Sequence, residues 1–239
     1  MASRDDSRDL RTQDFATPDA EPATLLGGGD DTEPLPDRRY TSILFWRLVR
    51  ALDPERGPAR ILDLGAATQS NIQFWGERGF TVTCYDLVRH EMEHLADQPI
   101  SNLTLTAEKI RMRSLSFEDE SFSAICAWNI FARMPFVVAR RYVRECYRIL
   151  SPTGIVHAIF LDADGRLDTR RNYRVADRQQ LDVSPVAAQR SETDWVEAEL
   201  AFMFSVFDAC ETKRAPCQTR ELLAQRGPTG PVPFGESSR

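Results

Sequence analysis

Histidine and cysteine are sparse in this 239-residue chain, and their placement excludes several chemistries. The five cysteines (Cys84, Cys126, Cys146, Cys210 and Cys217) form no CxxC pair and show no regular spacing. Cys84 and Cys126 fall inside apolar strand-like runs, where a reduced cysteine packs as a small hydrophobe. No apolar run approaches the roughly 20 residues needed to span a bilayer. The opening "MASRDDSRDLRTQD" lacks the apolar core of a signal peptide. These absences lead to the expectation of a cytoplasmic protein with no membrane partner. An excess of basic charge is missing too. Residues 1–39 hold ten acidic and five basic side chains, so −5 of the net −6 lies there and the remainder is nearly neutral. A dedicated nucleic-acid binder would show the opposite balance. No internal repeat is present.

The chain is 42% hydrophobic and 28% charged, ordinary for a globular protein, and long enough for one sizeable α/β domain. Residues 1–38, rich in Asp, Pro, Gly and Thr, are expected to be a disordered acidic tail, and residues 227–239 a second disordered tail. Residues 39–226 form the expected domain, in which strand and helix patterns alternate. "YTSILFWRLVRALD" (40–53) reads as a helix with Leu44, Phe45, Leu48, Val49 and Leu52 on one face. "RILDL" is a short buried strand, "SNIQFWGERG" a helix stopped at Gly79, and "FTVTCYD" a second strand. "LVRHEMEHLA" is a short helix and "NLTLTA" (102–107) a third strand. "SFSAICAWN" is a fourth strand, Pro135 opens a helix through residue 150 whose apolar residues recur at 136, 137, 143, 146, 149 and 150, and "GIVHAIFL" is a fifth strand. A polar, arginine-rich section (162–190) precedes the amphipathic "TDWVEAELAFM". "FSVFDACET" and "TRELLAQ" are the last strand candidates. Strands alternating with helices predict a mostly parallel seven-stranded sheet, helices on both faces and an antiparallel finish.

In such a sheet, ligands bind at the carboxyl ends of strands, beside the first strand-to-helix turn. Gly65 ends the first strand and lets the backbone approach a ligand; Asp86 ends the second, where a carboxylate can accept from both ribose hydroxyls. Asp63 is a second carboxylate on the same rim. Each has a plainer reading, Asp63 satisfying loop amides and Asp86 capping the next helix.

"ILDLGAATQSN" resembles the "LDLGCGTG" turn of class I (type 11-like) S-adenosylmethionine-dependent methyltransferases. "LSFEDESFSAICAWNIFARMP…RECYRILSPTGIVHAIF" looks like that family's strand four, helix and strand five. The resemblance spans roughly residues 58–162. It implies a Rossmann-like methyltransferase fold that binds S-adenosylmethionine and transfers a methyl group to an acceptor, a small molecule being favoured. It also implies Asp63 for the cofactor's amino-acid end, Gly65 and Ala67 for the turn, Asn71 kept as an anchor, and Asp86 for ribose. Ala67 and Gln69 replace the family's second and third glycines, Arg111 stands near the adenine-binding acid, and Ser123 and Arg133 replace a later Asp and His. The altered turn keeps a second reading open, a catalytically inactive fold serving as a binding or regulatory module. A nicotinamide dehydrogenase ranks third, because "GAATQS" lacks the second glycine of GxGxxG. Methyl transfer depends mainly on alignment, so no triad is required. Asn129, at the end of strand four, is the candidate catalytic residue, as a positioning hydrogen bonder; capping the next loop is its plainer role.

"HEMEH" (90–94) fits the HExxH zinc pattern, but it lies in a short helix ended by Pro99. The remaining histidine, His157, sits in an apolar strand and reads as a core residue, so no metal is expected. Phe74 and Trp75 read as packing their helix on the sheet. The stretch 166–178 reads as a solvated loop with local ion pairs, Tyr173 and Arg174 being its candidates for acceptor contact.

Overall fold

The computed structural model describes residues 38–52, 59–89, 114–161, 170–186, 196–216 and 219–228. Among these residues nine strands and four α-helices run in the order β1 (Arg38–Thr41), α1 (Ile43–Ala51), β2 (Arg60–Asp63), α2 (Gln69–Gly76), β3 (Thr81–Cys84), β4 (Phe122–Trp128), α3 (Phe136–Ile149), β5 (Leu150–Leu161), β6 (Arg170–Val175), β7 (Gln180–Val186), α4 (Glu197–Met203), β8 (Ala209–Ala215) and β9 (Thr219–Gln225). The central sheet has the order β3-β2-β4-β5-β9-β8 among the described residues. Its first four strands are mutually parallel, and β9 and β8 add on antiparallel. This is the expected mostly parallel α/β sheet with helices on both faces and an antiparallel finish. The third-strand candidate at 102–107 lies outside the described residues, as do 90–94 and Arg111. So does most of the two expected tails, although Arg38 opens β1.

Strand side chains alternate between two apolar layers, as the two-residue period of a pleated strand requires. Leu62, Ile125, Ala127, Val156, Ala158 and Leu222 face α3 and α4. Ile61, Ala124, Cys126, Trp128, Ile155 and Ile159 face α1 and α2. On this second side Phe45 lies 5.6–5.8 Å, centroid to centroid, from Phe74, Trp75 and Trp128. Phe74 and Trp75 therefore pack α2 on the sheet as expected. The helix ends by a 6→1 bond, the Phe80 N–H donating to the Trp75 carbonyl, with Gly79 at φ 79°.

Four local expectations are corrected. Residues 40–41 are strand rather than helix, and α1 starts at Ile43 behind the Ser42 cap. Val137 is 58% exposed, whereas Ala139 and Tyr142 are buried; the buried face of α3 is turned by about one position. Residues 204–208 are turn and β8 begins at Ala209, because buried Leu200, Met203, Phe204 and Phe207 follow the helical spacing of α4 and not a strand alternation. The arginine-rich section is no solvated loop: β6 and β7 form a hairpin, and β1 completes a second sheet in the order β1-β7-β6. Tyr173, Val175, Leu181 and Val183 alternate inward onto the α1 and α2 layer, which holds that sheet against the domain. An ion pair at 2.6 Å joins Arg39 to Asp182 on its outer side.

Gly154, early in β5, is required by space. A Cβ there would stand 2.8 Å from the Ser151 carbonyl oxygen and 2.9 Å from Leu150 Cδ2. Gly154→Ala is expected to cost about 1–3 kcal/mol by overpacking, read as a lower urea midpoint at unchanged slope.

Candidate functional site

Asp63, Asp86 and Asn129 close the carboxyl ends of β2, β3 and β4, and parallel pairing brings these ends to one rim. Asp63 is in register with Cys84 of β3 and Cys126 of β4. Beyond that register the backbone links continue, with the Tyr85 N–H donating to the Asp63 carbonyl and the Leu87 N–H to Leu64.

The Asp63 carboxylate is the most constrained group on the rim. It is 4% exposed. Its Oδ1 accepts from the Gly65 N–H at 3.0 Å, and its Oδ2 from Asn71 Nδ2 at 3.1 Å. Burial pushes this carboxyl above its usual range; the two hydrogen bonds pull it down, and the charge of nearby Asp86 adds to the upward push. A Cβ on Gly65 would lie 3.3 Å from Asp63 Oδ1 and 3.8 Å from Ile130 Cδ1. The absent side chain therefore keeps the turn close to both the Asp63 carboxylate and the chain leaving β4.

The turn then opens to solvent. Ala66 and Ala67 are exposed, and Thr68 caps α2, its hydroxyl accepting from the Asn71 N–H at 3.3 Å. Gln69 is the first residue of α2 and is exposed. Asn71 is buried between Asp63 and the small sheet, its Oδ1 accepting from the Val175 N–H at 2.9 Å. Asp86 is half-buried, and its Oδ1 accepts from the Arg89 N–H at 3.0 Å, the capping role open to it from the sequence. Asn129 is buried with φ 55°, a left-handed conformation that asparagine tolerates better than most residues. Its N–H donates to the Ile159 carbonyl at 2.8 Å. Ser123 lies at the opposite, amino end of β4, away from the rim. Arg133 ends the short 3-10 turn that follows β4. Tyr173 is buried, with its hydroxyl 3.1 Å from Thr219 Oγ1, and Arg174 is exposed and donates to Ser184 Oγ at 2.9 Å.

One polar group was not singled out from the sequence. Glu221 of β9 is 2% exposed, and its Oε2 accepts from the Ser42 hydroxyl at 2.6 Å. His157 Nε2 lies 3.7 Å from the same oxygen, too long for an ordinary hydrogen bond, and His157 Nδ1 accepts from Trp128 Nε1 at 2.8 Å. Because Nδ1 accepts, the ring proton sits on Nε2 and faces Glu221. His157 is thus the core histidine expected. Only the apolar neighbours Leu222 and Leu223 hinted that Glu221 is buried. Among the described residues, no group of three or more His, Cys, Asp or Glu side chains is placed to hold a metal ion. None of their helices is long and apolar enough to cross a membrane.

With this geometry in place, comparison with known proteins shows what the chain resembles. Residues 61–154 match the family described as a methyltransferase domain. Over this stretch the chain is similar to that methyltransferase-domain family. The match runs from β2 to the start of β5 and so contains Asp63, Gly65, Ala67, Asn71, Asp86 and Asn129. A curated relative of the chain is the malonyl-[acyl-carrier protein] O-methyltransferase of Enterobacter lignolyticus, 27% identical over 144 residues. That alignment covers 59% of this chain and 53% of the relative, so the chain spans about half the length of the curated protein it matches. Similar solved structures include a SAM-dependent methyltransferase from Methanosarcina mazei (16% identity, 76% of this chain and 97% of that one, TM-score 0.46). Another is the 1,6-didemethyltoxoflavin-N1-methyltransferase of Burkholderia thailandensis (18% identity, 77% of this chain and 76% of that one, TM-score 0.45).

Proposed function

We propose that this chain binds S-adenosylmethionine at the rim formed by β2, β3 and β4 and transfers its methyl group to a small-molecule acceptor. The observation that carries this reading is the placement of Asp63 and Asp86 at the carboxyl ends of the paired strands β2 and β3, beside the Gly65 turn. Two neighbouring carboxylates, one of them buried, leave an excess of negative charge that a cationic ligand relieves. S-Adenosylmethionine carries a sulfonium and an ammonium group and fits that requirement. The surrounding residues fit it as well: the Gly65 turn has no side chain in the way, and Ala67 is exposed beside it.

In this reading Asp63 faces the ammonium end, Gly65 and Ala67 supply backbone approach, Asn71 orients Asp63, and Asp86 holds the ribose through its second oxygen. When bound, the cofactor supplies an already activated methyl, so the protein's task is alignment and the exclusion of water. Asn129, fixed by its backbone bond to Ile159, is the positioning hydrogen bonder at the acceptor side. A second reading, a non-catalytic binding module, draws support from the fact that both Asp63 oxygens already accept bonds from the turn itself.

Asp86→Ala distinguishes the two. Its carboxylate is half-buried and makes one capping bond, so the variant is expected to lose only about 0.5–2 kcal/mol of stability. Loss of a charged hydrogen bond to ligand is expected to weaken S-adenosylhomocysteine binding by about 10–100-fold. Titration calorimetry measures it, and unchanged affinity would remove Asp86 from the site.

A further inference from the structure

Asn71 joins two parts of the molecule that are remote in sequence. It sits in the first turns of α2, 3% exposed, and both heteroatoms of its amide are engaged. Nδ2 donates to Asp63 Oδ2 at 3.1 Å, while Oδ1 accepts from the Val175 N–H at 2.9 Å. The amide orientation is dictated by these partners, because the reverse would set acceptor against carboxylate and donor against N–H. Val175 ends β6, an outer strand of the β1-β7-β6 sheet. Among the described residues β6 pairs with β7 on one edge, and at Val175 the N–H on the other edge is satisfied by Asn71. Aspartate at 71 would still accept from Val175 but would oppose the Asp63 carboxylate. Leucine would leave two buried polar groups without partners. An asparagine meets both demands.

From this arrangement we infer that Asn71 is a positioning residue that couples cofactor occupancy to the small β1-β7-β6 sheet. Through one rigid amide, the direction of the Asp63 carboxylate and the position of β6 are set together. The small sheet is held elsewhere as well, by the Ser42 N–H donating to the Gln179 carbonyl at 2.7 Å and by the Tyr173–Thr219 hydroxyl pair. The Asn71 contact differs from these in ending on the carboxylate assigned to the cofactor. A ligand that draws on Asp63 therefore orders β6, and by reciprocity whatever orders β6 strengthens ligand binding. The inference rests on the cofactor reading given above and adds to it the route by which the cofactor is felt at the sheet that carries Tyr173 and Arg174.

Hydrogen exchange of the full chain, followed by mass spectrometry with and without saturating S-adenosylhomocysteine, tests the coupling. In the wild type the ligand is expected to slow exchange at residues 173–175 by about fivefold or more, the usual lower range of coupling between sites. In Asn71→Ala, at ligand concentrations that saturate the variant, that slowing disappears. A purely structural role would change the basal exchange rate and leave the ligand-dependent difference intact. Val175→Pro removes the same bond from the other side, keeps Asn71 and Asp63, and is expected to abolish the difference too; it serves where Asn71→Ala does not fold. Equal ligand protection in wild type and variants, or bound ligand with no protection of β6 in the wild type, overturns the coupling and leaves the cofactor reading standing. No binding of S-adenosylhomocysteine to the wild type at millimolar concentration overturns both.

Discussion

Glu221→Ala is expected to destabilise the domain by about 1–3 kcal/mol, the cost of leaving a buried donor without its acceptor. Glu221 is 2% exposed and His157 is fully buried. Alanine would strip the acceptor from the Ser42 hydroxyl and leave the His157 Nε2–H facing a void. The Ser42 hydroxyl also accepts from the Phe45 N–H at 2.9 Å as the cap of α1, so the damage reaches the helix that packs on this face. Against the typical total of about 5–15 kcal/mol for a domain, such a loss is a substantial fraction. Urea denaturation of wild type and variant measures it; a change below about 1 kcal/mol would show that the network holds nothing together.

The same group gives a pH signature. Burial raises the Glu221 carboxyl, but the neighbouring His157, Ser42 and Tyr40 outweigh it, so the folded-state value lies below the usual one. A carboxyl lowered on folding contributes stability that is complete above its unfolded value, about pH 4.3, and lost as pH falls through the folded value. Glu221→Gln is therefore expected to flatten the acid side of the stability profile below about pH 4.3. An unchanged acid limb would contradict the assignment.

Asp63→Ala is expected to weaken S-adenosylhomocysteine binding by about 100-fold or more, since charged hydrogen bonds contribute about 1.5–3 kcal/mol each and this carboxylate also organises the turn. The Gly65 N–H and the Asn71 amide both donate to it, and without it both lose their acceptor. Asparagine is a poor substitute, because its amide group would meet one of two donors with a third. The pH dependence follows from burial. Asp63 holds its proton to a higher pH than an ordinary carboxyl, and a cationic ligand prefers the ionised form. Ligand binding is therefore expected to release a proton above the ordinary carboxylate range, and affinity is expected to fall on acidification before ordinary carboxylates, near pH 3.9, begin to titrate. Affinity that is flat until that pH would remove Asp63 from direct contact.

How much of this was legible in the sequence varies by element. The block from β4 through α3 to β5 was clear because long apolar runs, Pro135 and a regular helical period all agree. Asp63, Gly65 and Asp86 were candidates because strand ends in this architecture mark the ligand rim, and the structure sets them at the carboxyl ends of β2 and β3. The β6–β7 hairpin was hidden by its charges. Arg174 and Asp182 point outward between Tyr173, Val175, Leu181 and Val183, and the alternation is visible only if the arginines are read as the exposed half of a strand. The bond from Asn71 to Val175 links positions 104 residues apart, and no local pattern encodes it. Glu221 was missed for a similar reason, as its partners come from β1's end and β5.

Titration calorimetry of the purified chain with S-adenosylhomocysteine, beside Asp63→Ala and Asp86→Ala, tests the central claim most directly. Micromolar binding by the wild type, lost in Asp63→Ala and weakened in Asp86→Ala, is the predicted result. No heat of binding up to millimolar ligand, with the wild type folded by circular dichroism, would contradict it.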